Sequence, residues 1–149
     1  MLRVLKAFFP TVLATYALAS LLVTQFNLAS LKGMGVAIAL PDRLAASLHD
    51  LMGLSSSYLI LILVAFTLAL PLAAGLVHML PRFRLLLYVV AGAVAIVAIH
   101  VIFKLALGVN GIAAVRSTAG LLAQGVAGAL GGYLYHRLSM PHSVAEQLE

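Results

Sequence analysis

The feature that most constrains this chain is the length of its apolar runs. Four stretches, about 8–28, 57–80, 85–107 and 112–138, carry few charges. A helix needs about 20 apolar residues to cross the hydrocarbon of a bilayer. Backbone at that depth has no water to bond, so such runs must be helical. Hydrophobic residues make up 64% of the 149-residue chain and charged residues 9%; a soluble domain carries about 25% charged residues. No room remains for a sizeable soluble unit. The expectation is a single all-α integral membrane domain: a four-transmembrane-helix bundle, multi-pass, in a bacterial inner (cytoplasmic) membrane.

The ends of the runs carry punctuation. Pro10 falls in the opening turn of the first, and Pro81 closes the second. Gly108 and Asn110 follow the third, and Pro141 follows the fourth. The first run has Arg3 and Lys6 before it, as a signal peptide would, but it continues through LLVTQF and reads as a span. Pro71 lies inside the second run. Its ring removes one backbone hydrogen bond and frees the carbonyl of Thr67, which predicts a kink.

Lys and Arg set the orientation. With both termini cytoplasmic, Arg3, Lys6, Arg82, Arg84 and Arg137 lie inside, and Lys32, Arg43, Lys104 and Arg116 outside. The net charge of +5 flanks the apolar runs. It therefore points to lipid head groups and not to nucleic acid. The expected partners are the lipid bilayer and either further copies of the chain or a larger membrane complex. The absence of cysteine removes disulfides and thiolate chemistry.

The first loop is the long one. Within it, residues 42–52 read as a short helix with Leu44, Leu48 and Leu51 on one face and Arg43, Ser47 and Asp50 on the other. That pattern suits an amphipathic helix in the outer membrane interface, or one packed over the end of the bundle. The tail, 139–149, carries Ser143 and Glu146 at capping-box spacing.

The fourth run has two faces. Arg116, Gly120, Gln124, Gly128, Gly132 and His136 recur at i, i+4, while Thr118, Leu122, Val126, Leu130, Leu134 and Leu138 form a row nearly opposite. In lipid, helices associate through close backbone approach and interhelical hydrogen bonds. Gly120, Gln124, Gly128 and Gly132 are therefore expected to pack against protein, either this chain's own helices or a neighbouring copy. On the first run, Tyr16, Ser20, Thr24 and Asn27 form a stripe expected to meet that small face.

Candidate chemistry is sparse. All four acids, Asp42, Asp50, Glu146 and Glu149, lie outside the runs. This argues against carboxylate-based hydrolysis and against cation-coupled pumping, which commonly relies on an intramembrane acid. His100 and Lys104 share a helix face, and Arg116 follows twelve residues later. These three are the candidate ligand-binding residues, for an anionic or lipid-like molecule. The alternative is a basic belt at the head groups, or pairing with Asp42 or Asp50. His78 and His136 match in depth near the inner side, and His49 and His100 near the outer, so b-type haem is a cofactor alternative. No metal site, catalytic constellation or nucleotide motif is present in the sequence. The functional expectation is a non-enzymatic membrane protein, an accessory or assembly subunit or a self-associating bundle. Binding or transport through the basic outer site is the second reading, and a haem electron carrier the third.

Overall fold

A computed structural model of the protein describes residues 2–107 and 113–140. Among them there is no strand. Five α-helices follow one another: α1, Leu2–Gly33; α2, Leu40–Gly53; α3, Tyr58–Met79; α4, Arg84–Leu107; and α5, Thr118–Ser139. Short 3-10 turns precede α3, α4 and α5.

Three helical segments, Arg3–Gly33, Tyr58–Met79 and Pro81–Ala106, are long and apolar enough to cross a membrane. The fourth expected span, α5, is 22 residues long, as is α3. It is less apolar because glycines, Gln124 and His136 dilute its leucines. The capping-box pair in the tail lies outside the described residues.

Around the bundle the neighbours run α1, α5, α4, α3 and back to α1. Ile62, Phe66 and Leu70 of α3 fill the centre, with Ile96 of α4 and Ala127 of α5. Unlike a soluble bundle, the core is rich in hydroxyls. Thr11, Thr15, Ser20 and Thr24 of α1 are all buried. Thr15 bonds back to the carbonyl of Thr11 at 2.8 Å, and Thr24 Oγ1 lies 3.1 Å from that of Ser20. Large aliphatic residues cover the outside: Leu68, Leu72, Val94, Ile102, Leu122 and Leu130 are all exposed.

α5 sits on α4 through glycine. A Cβ at Gly128 would overlap the carbonyl oxygen of Gly92, and one at Gly132 would overlap that of Tyr88. A Cβ at Gly131 would strike the Thr15 hydroxyl of α1. The helices approach backbone to backbone along this seam, the geometry that small residues permit in membrane helices.

Helix ends differ from expectation in informative ways. α1 begins at Leu2, so Pro10 lies within the helix and not in its opening turn. α3 continues through Pro71, as the second run does, with Thr67 Oγ1 bonded to Leu63 O at 2.7 Å in the turn before it. α5 begins at Thr118, after Ser117, whose side chain caps it by accepting from Gly120 N at 3.1 Å. Arg116 therefore closes the preceding 3-10 turn and is outside α5.

α1 is 32 residues long, about ten more than α3. Its C-terminal part outlasts the other helices, and α2 folds back along it through a loop where Gly35 takes φ +88°. The polar face of α2 turns inward. Ser47 is buried, accepts from Gln25 Nε2 at 3.2 Å and donates to Arg43 O at 2.8 Å. Thr24 donates to Asp50 Oδ2 at 2.8 Å, and the Tyr16 hydroxyl donates to Leu51 O. Leu40, Leu44, Leu48 and Met52 face out, at 60–71% exposure, while Leu51 packs against the core.

Candidate functional site

The polar centre of the molecule lies where α3 begins. Tyr58, the first residue of α3, is 1% exposed, Gln124 of α5 is 0% and His100 of α4 is 8%. Gln124 Nε2 donates to Ala19 O of α1 at 3.1 Å. The Tyr58 hydroxyl donates to Gln124 Oε1 at 2.8 Å, and Tyr58 Oη lies 3.1 Å from His100 Nε2. One chain of hydrogen bonds therefore joins all four long helices.

Donor chemistry fixes the direction of this chain. The Ala19 carbonyl can only accept, so the amide nitrogen of Gln124 must face it. Gln124 Oε1 then faces Tyr58 and takes that hydroxyl's single proton. The Tyr58 oxygen is left as an acceptor, so His100 must present Nε2–H to it. The Tyr58 and His100 rings also pack 5.6 Å apart, and Tyr16 meets Tyr58 edge-on at 6.4 Å.

His100 lies between two openings. On one side is a cavity of about 180 Å³ between α3 and α4, walled by Leu54, Leu61, Ile99 and Phe103, with Ser57 beside Tyr58. On the other is a groove of about 260 Å³ between α4 and the start of α5, where Lys104 joins His100 over Val101, Leu105, Val115 and Leu121.

Of the three basic candidates, the structure brings His100 and Lys104 to one groove. Arg116 is exposed on the turn beside Val115. His100 is a buried member of the hydrogen-bond chain, while Lys104 is exposed. Asp50 is held by Thr24.

Gly120, Gln124, Gly128 and Gly132 are all buried inside the chain's own bundle. The residues that sequence reasoning missed are Tyr58 and Gly92. Tyr58 sits at the edge of an apolar run, where tyrosine is common for interfacial reasons. Its role depends on three other helices. Gly92 is a lone glycine within a run, and only its alignment with Gly128 gives it meaning.

A second aromatic cluster closes the opposite end. Tyr88 packs on Tyr135 at 5.1 Å and on His136 at 6.3 Å, and Arg84 donates to Ser139 O and Oγ at 3.2 and 2.9 Å. Haem ligation across the bundle would need paired imidazoles facing inward. His49 and His78 are exposed, and His100 Nε2 is engaged by Tyr58. Among the described residues no group of three or more His, Asp or Glu is placed to hold a metal ion. Comparison with known protein families, curated proteins and solved structures finds no match.

Proposed function

We propose that this chain is a small integral membrane protein without catalytic activity, whose four long helices cross the bilayer while α2 lies in the outer interface. It serves as an accessory or assembly subunit of a membrane complex, or associates with itself. One observation carries this reading. Tyr58, Gln124 and His100 bond to one another inside, with Gln124 also reaching the Ala19 carbonyl, and the outside is leucine, valine and isoleucine. Polar groups at membrane depth need such partners. The inward polar face of α2 fits the same picture, since its outward leucines suit the acyl boundary.

The favoured setting is a bacterial inner membrane with both termini cytoplasmic. A C-terminal reporter active only in the cytoplasm should fluoresce, and the protein should stay in membranes after alkaline carbonate washing. Release by carbonate would defeat the reading. Extracted in mild detergent, the chain should migrate as a self-assembly or with a stoichiometric partner. A lone monomer with no partner would sink the accessory role.

A second reading rests on the groove at Lys104. Its apolar floor and single ammonium suit an anionic lipid, with the phosphate at Lys104 and an acyl chain over Leu105 and Leu121. Phosphatidylglycerol retained in native mass spectra, and lost in Lys104→Gln, would support it. Equal retention of phosphatidylcholine would refute it.

A further inference from the structure

We infer that the cavity between α3 and α4 is a binding site for a neutral, ring-sized apolar group bearing a hydroxyl, such as a phenol or the head of a quinol, with His100 Nδ1 as its acceptor. The inference does not depend on the accessory role. It differs from the anionic-lipid reading in both place and charge.

The hydrogen-bond directions supply the first half of the argument. Starting from the Ala19 carbonyl, each link permits only one proton placement, and the last puts the proton on His100 Nε2. A neutral imidazole carrying a proton on Nε2 has a bare lone pair on Nδ1. No acid of this chain lies in the long helices to balance an imidazolium, and a buried charge without a counter-charge is costly. The ring is therefore neutral. Among the described residues nothing bonds Nδ1. The residue is 8% exposed and forms part of the cavity wall. Nδ1 is not sealed inside the protein, and at membrane depth no bulk water is at hand, so a donor entering the cavity can satisfy it.

The cavity supplies the second half. Its volume is about 180 Å³, and its walls are mostly apolar, Leu54, Leu61, Ile99, Phe103 and the Tyr58 ring, with Ser57 the one polar residue besides Tyr58 and His100. An apolar cavity of about 150 Å³ takes benzene. A single ring with one hydroxyl fits, and the apolar walls disfavour a charged group. His100 stays in place without a ligand, because Tyr58 and Gln124 already orient it. The site is therefore preorganised.

The test uses the full chain in nanodiscs, with 4-fluorophenol as probe, read by fluorine NMR against empty nanodiscs. The phenol should shift saturably. Its ether, 4-fluoroanisole, has no proton to donate and should bind about tenfold more weakly, the worth of one buried hydrogen bond. Two variants separate the parts of the claim. His100→Phe should retain ring binding but lose the preference for phenol. Leu61→Trp, which fills the cavity without touching the hydrogen-bond chain, should abolish binding of both probes. Its helicity and elution volume confirm that it has folded. Decylhydroquinone displacing the phenol would assign the site to a lipid-borne ring, and displacement by small phenols alone to a free one. Equal affinity for phenol and anisole would overturn the inference. So would unchanged binding in Leu61→Trp, or displacement of the phenol by 4-fluorobenzoate.

Discussion

The α4–α5 seam and the polar centre at the start of α3 hold the same bundle in opposite ways. Along the seam, Gly92, Gly128 and Gly132 bring backbone against backbone, with the Ile96 side chain packed beside Gly128. At the polar centre, side chains from three helices and a backbone carbonyl of α1 are joined by directed hydrogen bonds, with an opening on each side of His100. The seam tolerates no added atoms and offers no space. The polar centre is less tightly filled and chemically specific. The first region excludes any added atom, and the second leaves room beside His100.

Breaking the seam should have the largest effect. Gly132→Leu drives a side chain into the backbone of α4 at Tyr88 and Val89. A loss of roughly 3 kcal/mol is expected, at the upper end of overpacking penalties. In a detergent thermal-shift assay the variant should lose its folded peak. A variant melting like the native chain would mean that α5 does not sit on α4.

Removing the amide at the polar centre ranks second. Gln124→Leu leaves the Tyr58 hydroxyl without its acceptor and Ala19 O without its extra donor. The expected loss is about 1–2 kcal/mol. Tyr58→Phe should cost about 1 kcal/mol, since ring packing is kept and only the hydroxyl goes. The double variant should cost less than the sum of the two, because both remove one shared bond. Strict additivity would show that the two residues do not interact.

Thr24→Val comes next. It loses the bond to Asp50 but leaves the bundle unaltered. Global melting should move little, while amides of α2 should exchange hydrogen faster; unchanged exchange would show that α2 is held otherwise. Smallest of all, Leu130→Ala trims an outward side chain and should stay within about 0.5 kcal/mol of the native protein.

These contrasts also show what could be read from the sequence. The two faces of α5 were legible because the i, i+4 spacing of Gly120, Gln124, Gly128 and Gly132 against Leu122, Val126 and Leu130 is a local, periodic signal. The amphipathic character of α2 was legible for the same reason, except that Leu51, grouped with Leu44 and Leu48, packs against the core while those two face out. Which of its faces turns inward was not, because periodicity groups residues without saying which side meets protein. Here the polar side meets α1, where Thr24 and Gln25 offer partners.

The role of Tyr58 was hidden. Its bonds to Gln124 and His100 span 66 and 42 residues of sequence. Nothing local distinguishes it from an interfacial tyrosine. His100 was noticed for its spacing to Lys104. Its hydrogen-bonding role follows only from the helix that carries Tyr58. Arg116 was grouped with them by sequence distance, and a capping serine one residue later places it outside α5.

The central claim is that α5 crosses the bilayer with its glycine and glutamine side inward and its leucines against lipid. Because the chain has no cysteine, spin labels can be placed singly by Leu122→Cys, Val126→Cys, Leu130→Cys and Tyr133→Cys in reconstituted bilayers. Their collision rates with oxygen and with a water-soluble nickel chelate test the claim most directly. All four labels should show high oxygen and low nickel accessibility, with oxygen highest towards the middle of the helix. High nickel accessibility at Val126 and Leu130, or oxygen values as low as those of a packed core, would contradict it.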